Sequence, residues 1–466
     1  MRRFAFFSFC GLLFGACENG GVGPVDLSDA DTITTITLFS PRDYQTYQRD
    51  VGGQADIPIG GWYSGTPASI EARFNGGPWS TIDAQPTAGT YSGTLERQSG
   101  QGTLEVRFAA DTGIAASAAY VGIGDVFIVA GQSNASGRGS TYQAYTHAGL
   151  KAAMYRQDGR WVELKDPTDS DDGAGSAWPL LATLHMADQG VPVAFVTTAD
   201  GGTGLAAPDG DWSKGGMQYR GFLATVRSSG VNDATAILWH QGERDARNGI
   251  SQREYQTALS AMVLNMQADL GGHFADLRLV CAQIGMVAGR TAAQLDPIRL
   301  AQANRWDNDP DVLAGPVLHD VKSADGHFRT DAELQTLANR WWRALKYHFY
   351  GGAEPARGPQ FSGASYAGNR VTVAFEGGQG SLVNVTDATG WHIVDSGGIR
   401  TLVSLSGTDE TVTLILDQDL RAPVSVTFGS GNSGAGTTLH DSGTYPLPPE
   451  PFVARSATSG AGKRRP

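Results

Sequence analysis

Val126-Phe127-Ile128-Val129-Ala130 is an apolar run that passes directly into Gly131-Gln132-Ser133-Asn134-Ala135-Ser136-Gly137. In a parallel α/β sheet, functional groups gather at the carboxyl ends of strands, so a serine at such a turn has its hydroxyl and its N–H in the cleft. Taken alone the segment reads as a Gly-Ser turn that caps a helix. It is not a phosphate loop, because no Gly-Lys-Ser/Thr follows. Three later segments change the weighing. Ala199-Asp200-Gly201-Gly202-Thr203-Gly204 follows a second apolar run, and its glycines let a backbone N–H approach a ligand unobstructed. Trp239-His240-Gln241-Gly242-Glu243-Arg244-Asp245 follows a third run, and Asp325-Gly326-His327-Phe328 precedes an amphipathic stretch starting near Asp331. Together they supply a nucleophile, donors for an oxyanion and a base, each at a strand end. The bland readings are a helix-capping His327, a structural His240, and Glu243 and Asp245 paired with Arg244 or Arg247 on a solvated face. Asn134 reads as holding the nucleophile turn in shape.

The elements that position these residues are legible from periodicity. Val126 to Ala130, Val191 to Thr197, Ala234 to Trp239 and Leu277 to Ile284 are continuous apolar runs, the mark of strands buried on both faces. Tyr255, Leu259, Met262, Val263 and Met266 share one helical face, as do Leu334, Leu337, Ala338, Trp341 and Leu345. Strands alternating with helices predict an α/β domain with a parallel sheet over residues 123–350. On either side the period is two. Ile70 to Phe74 and Leu104 to Phe108 mark an N-terminal β-sandwich over 32–122. Val371 to Phe375, Thr411 to Leu416 and Val424 to Phe428 mark a C-terminal one over 351–453. Residues 18–31 read as a polar linker and 454–466 as a disordered tail.

Composition narrows the function classes. A net charge of −12 argues against a nucleic-acid partner, because phosphate binding needs a basic surface. The nine histidines are scattered without a His-x-x-x-His or acidic box, so neither a metal nor another cofactor is expected. Arg2 and Arg3 precede an apolar run from Phe4 to Phe14, too short to span a bilayer, and the first 17 residues read as an export signal. Gly15-Ala16-Cys17 resembles a bacterial lipoprotein signal, with Phe14 where Leu is usual. The expectation is an exported protein, either secreted or held in the envelope by a lipid on Cys17. Cys281 lies in an apolar run and reads as a packed core thiol. Trp62, Trp79 and Trp391 are either sugar-stacking platforms or, more commonly, sandwich core.

The four blocks, in this order, resemble the SGNH-hydrolase superfamily, specifically its sialate O-acetylesterase and acetylxylan esterase family of carbohydrate esterases. The resemblance runs from about Gly124 to Leu345 and implies a flavodoxin-like three-layer fold. It implies that Ser133 attacks an acetyl carbonyl and that His327 takes its proton. It implies an oxyanion held by the Ser133 N–H, a backbone N–H at Gly202 or Gly201, and the Gln241 side-chain amide, with Gln132 and Asn134 beside the substrate. The acid behind the base is open. The superfamily commonly has Asp three residues before the His, which here is Ala324. Asp325 is favoured slightly over Glu243, with Asp320 third and a backbone carbonyl also possible.

The implied activity is hydrolysis of O-acetyl esters on sialic acid or an acetylated polysaccharide. Two other readings stand beside it: a carbohydrate-binding surface protein whose esterase domain has decayed, and a lipase-like or peptidase-like serine hydrolase. Loops at 141–176 and 204–219 are expected to wall the pocket. The acidic stretch from Asp166 to Asp172 would repel an anionic sugar if it faces the cleft. The sequence says nothing of oligomeric state.

Overall fold

The computed structural model describes residues 34–168 and 174–460. The expected signal, Cys17 and the linker lie outside the described residues. At the centre is a parallel sheet whose strands start, in spatial order, at Ala153, Val193, Ala115, Ala236, Leu279 and Val312. A short strand, Trp161–Glu163, is added antiparallel at one edge. The strands Val193–Thr197, Ala236–His240 and Leu279–Gln283 are buried at every residue, as continuous apolar runs require.

Alternate side chains of each strand enter different apolar layers. Val126, Ile128, Ala130, Ile237 and Trp239 pack with the helices Met217–Ser229, Gln252–Leu270 and Ala292–Asn308. Phe127, Val129, Ala236 and Leu238 pack with Trp178–Gln189 and Asp331–Phe349 on the opposite face. The result is the expected three-layer α/β fold. Each large apolar side chain buried in these layers contributes about 1.5–3 kcal/mol. The helix behind the site, Asp331–Phe349, opens on a capping box of Thr330 and Glu333. Such a cap is worth about 1 kcal/mol, and it fixes where the preceding loop must end.

Two β-rich regions flank this core. In the first, Ile36, Ile57, Ile59, Tyr91 and Leu95 from a three-stranded sheet face Ile70, Leu104, Val106, Val121 and Ile123 from a second sheet. The change of pattern near Gly124 is not a break in the chain. One strand, Ala115–Gly131, pairs with the N-terminal sheet in its first half and runs on into the central parallel sheet. Its burial alternates up to Tyr120 and is continuous from Val121, where both of its faces become covered.

In the second, eight strands form one hydrogen-bonded path whose halves close over a shared core of Val371, Phe375, Val412, Leu414, Ile393, Val426 and Phe428. The tail expected to be disordered from Ala454 is corrected here. Phe452–Ser459 is a strand, paired antiparallel with Val424–Phe428 and parallel with Gln360–Ala367. Its side chains are mostly exposed, so the ladder hydrogen bonds rather than apolar burial hold it, and small polar residues gave no strand signal. A fully buried ion pair, Arg343–Asp441 at 2.7 Å, ties this region to the helix Asp331–Phe349. Of the three tryptophans, Trp391 is core, and Trp79 lies beside the guanidinium groups of Arg73 and Arg107. Trp62 is exposed beside Phe39. Cys281 is fully buried, and burial pushes its thiol well above the usual range.

Candidate active site

The nucleophile turn is built by close backbone approach. Gly131 has φ 127°, and a Cβ there would sit 2.2 Å from the carbonyl oxygen of His240 on the neighbouring strand. Only glycine fits that position. Gln132 is extended, and a single helical turn begins at Ser133. Ser133 is buried, and its Oγ lies 3.1 Å from His327 Nε2. His327 Nδ1 lies 3.2 Å from Asp325 Oδ2, and Asp325 Oδ1 accepts the His327 backbone N–H at 3.0 Å. The two-residue spacing works because Gly326 has φ 97°, which turns both the ring and the N–H of His327 toward one carboxylate. The Arg329 guanidinium, 2.6 Å from Oδ2, holds the Asp325 carboxyl well below the usual carboxylate range, helped by the His327 N–H and ring against slight burial.

The other two acids have different partners. Asp320 is buried in an ion pair with Arg340 at 2.6 Å and does not reach the histidine, which removes it from the candidates. Glu243 Oε1 accepts from Asn134 Nδ2 at 2.9 Å and lies 3.4 Å from His240 Nε2. Burial works to raise the Glu243 carboxyl, yet His240 and Asn134 outweigh it and hold the group below its ordinary range. Asn134 also donates to the Gly326 carbonyl at 3.1 Å, and its Oδ1 accepts from the Phe328 N–H at 3.3 Å. It thus bridges the nucleophile turn to the loop that carries the base. His240 is fully buried against Phe328, a structural neighbour as expected.

The oxyanion donors need one correction. Gln241 is fully buried, and its Nε2 donates to the Thr203 carbonyl at 3.1 Å and to Asp245 Oδ2 at 2.5 Å, while Tyr255 donates to its Oε1 at 3.1 Å. An amide with both protons committed has none left for a substrate. Gln241 and Asp245 instead brace the glycine loop, since Asp245 also accepts the N–H groups of Leu205 and Ala206 at 2.9 and 2.8 Å. Burial raises the Asp245 carboxyl. Neither Glu243 nor Asp245 is on a solvated face; Arg244 pairs instead with Asp209 at 2.6 Å. Gln132 has the free amide. Its Oε1 accepts the Arg244 N–H at 3.0 Å, which fixes the amide orientation, and its Nε2 donates to no group among the described residues.

Gln132, Ser133, Asn134, Glu243, Arg247, Val287 and the 325–327 loop line a small, narrow cleft. The expected walls at 141–176 and 204–219 supply no lining residue among those described. Asp166 is turned inward, bonded to Ser176 Oγ at 2.7 Å and to the Gln143 N–H at 2.8 Å, so it does not charge the cleft. Asp169, Asp171 and Asp172 lie outside the described residues. Gly201 and Gly202 also stand outside the lining set. Gly202 has φ 77°, and the loop carrying it is tied to the nucleophile strand by the Asp200 N–H, which donates to the Gly131 carbonyl at 3.1 Å. Sequence reasoning missed Arg329 and Val287, and no spacing signal marks either.

Residues 123–345 match the family model described as a carbohydrate esterase, sialic acid-specific acetylesterase. This α/β region belongs to that carbohydrate esterase family. The esterase domain is accordingly a carboxylic ester hydrolase. A probable carbohydrate esterase from Arabidopsis thaliana is 23% identical over 234 residues, covering 45% of this chain and 86% of its own. The crystal structure of a carbohydrate acetylesterase from Xanthomonas citri is 20% identical with a TM-score of 0.62, covering 90% of this chain and 99% of its own. That likeness shows that the fold extends across the flanking β regions as well.

Proposed function

We propose that the chain is a serine esterase that removes O-acetyl groups from carbohydrates through an acyl-enzyme. The observation that carries this reading is the Ser133 Oγ to His327 Nε2 distance of 3.1 Å, with Asp325 on the far nitrogen. Ser133 Oγ attacks the acetyl carbonyl carbon as its proton passes to His327 Nε2. The resulting oxyanion is met by the Ser133 N–H and the Gln132 amide, with the Gly202 N–H as third donor; each is worth about 3 kcal/mol in the transition state. Collapse breaks the bond to the sugar oxygen, which takes the proton from the imidazolium. Water then attacks the acetyl-serine, His327 takes its proton, and acetate leaves as the proton returns to Ser133. Asp325 keeps the proton on Nδ1, so that Nε2 is the free base, and stabilises the imidazolium.

The small cleft favours a short acyl group, and the reach of Asp325 to His327 favours an intact enzyme over a decayed one. The apolar segment from Phe4 to Phe14 supports action on glycans outside the cytoplasm, whether secreted or anchored at Cys17. Ser133→Ala should abolish acetate release from an activated acetyl ester while the thermal transition stays near wild type; retained activity would refute the assignment. Acetate release across acetylated xylan, pectin and O-acetyl sialic acid then ranks the sugars.

A further inference from the structure

We infer that Arg329 is a positioning residue of the base: it fixes the Asp325 carboxylate against His327. The inference rests on the serine esterase reading. Arg329 Nη2 and His327 Nδ1 converge on the same oxygen, Asp325 Oδ2, at 2.6 and 3.2 Å. The guanidinium is itself braced by Nη1, which donates to the Arg138 carbonyl at 3.2 Å, and the backbone that carries it is fixed by the Arg329 N–H, which donates to Glu333 Oε2 at 2.6 Å. With Nε2 of His327 accepting from Ser133, as the proposed mechanism requires, Nδ1 carries the proton, and the 3.4 Å between Arg329 Nη2 and Nδ1 is an approach of two donors to one acceptor rather than a hydrogen bond.

This arrangement answers the unusual spacing of the acid. Asp325 is half-exposed and sits only two residues before the base. The His327 backbone N–H holds one oxygen of this carboxylate, Oδ1, and Arg329 is the cation that holds the other, Oδ2, which faces the ring. The same cation stands 3.4 Å from the imidazole Nδ1. The charged groups around the ring are Asp325 and Arg329 from its own loop, and Glu243 and Arg247 from the helix Glu243–Asn248. Glu243 is committed to Asn134 and His240, while Arg138 on the nucleophile side donates to Ser136 Oγ and the Gly137 carbonyl. Arg329 is thus the cation in direct contact with both members of the acid–base pair.

The test compares Arg329→Gln and Arg329→Lys with wild type. For Arg329→Gln, kcat on an activated acetyl ester falls about 10- to 100-fold with KM unchanged, the scale of a misplaced catalytic group. Arg329→Lys restores only part of kcat, since an ammonium carries the charge without the planar fork. In the Ser133→Ala background, the low-field proton resonance of His327 Nδ1–H shifts when Arg329→Gln is added, a readout independent of turnover. Unchanged kcat and resonance in Arg329→Gln would overturn the inference, as would a lowered thermal transition with the resonance unmoved. Activity retained by Ser133→Ala would overturn the underlying reading instead, so the two failures are distinguishable.

Discussion

The two halves of the active site are built in opposite ways. The nucleophile half is assembled by long-range packing: Gly131 against the His240 carbonyl, Asn134 on Glu243, and Glu243 beside His240, all buried. The base half is a local device of five residues, Asp325 to Arg329, whose acid and cation are both half-exposed. Nothing in the first half moves without disturbing the sheet. The second half is held by charge, by one glycine turn and by the two Asn134 hydrogen bonds that join it to the first. The nucleophile half therefore trades on fold stability, and the base half on electrostatics.

The largest effects come where the halves meet. Removing either Ser133 or His327 by alanine substitution should lower kcat by about 10⁴-fold or more, and the double variant should lose little beyond either single one, because the pair acts as a unit. Additive losses in steady-state kinetics would show that the two do not share a proton. Asp325→Asn comes next, with a loss of about 10²- to 10⁴-fold in kcat as the histidine loses its orienting anion. Its thermal transition should barely move, since exposed ion pairs are worth only about 0–1 kcal/mol. A large drop in stability would erase the contrast between the halves.

Gly131→Ala tests the nucleophile half by its fold. A Cβ placed 2.2 Å from a carbonyl oxygen, at φ 127°, forces the strands apart or the turn out of shape. The expected cost is about 3 kcal/mol by denaturant unfolding, from left-handed strain plus overpacking. Gly326→Ala strains the base loop in the same way but against the Met286 carbonyl at 2.9 Å, and there activity should fall more than stability.

How much of this was legible in sequence follows the same division. The parallel sheet showed itself because strands such as Ala236–His240 are buried on both faces and so read as unbroken apolar runs. Ser133 and His327 were singled out because several blocks stood in order at strand ends. The passage of one strand through two sheets was not legible, since a change from alternating to continuous burial looks like a domain boundary. Nor was the role of Gln241. Its neighbours Thr203 and Asp245 are set by tertiary packing, and a block position does not say which way an amide points. Arg329 carried no signal because an arginine two residues after a histidine is ordinary until the loop folds.

The smallest expected effect is also the one that most sharpens the comparison, because it puts Glu243 beside Asp325. Both carboxyls are held below their ordinary range, but for different reasons: Asp325 chiefly by the half-exposed Arg329, Glu243 by His240 and Asn134 working against full burial. A carboxyl depressed in the folded state stabilises the fold above its unfolded value, and that stability is lost as pH falls through the folded value. Glu243→Gln removes this contribution and leaves its neighbours imperfectly paired, at a cost of about 1–3 kcal/mol near neutral pH. Below the ordinary glutamate range the wild type loses the same contribution, so the two stability curves should converge as the solution is acidified toward the folded value. Denaturant unfolding of both proteins between neutral and acidic pH measures that convergence. Asp325→Asn should show almost none of it, because solvent screens its partner. Parallel curves for Glu243→Gln, or a strong convergence for Asp325→Asn, would mean that the buried half is not where the fold stores its electrostatic stability.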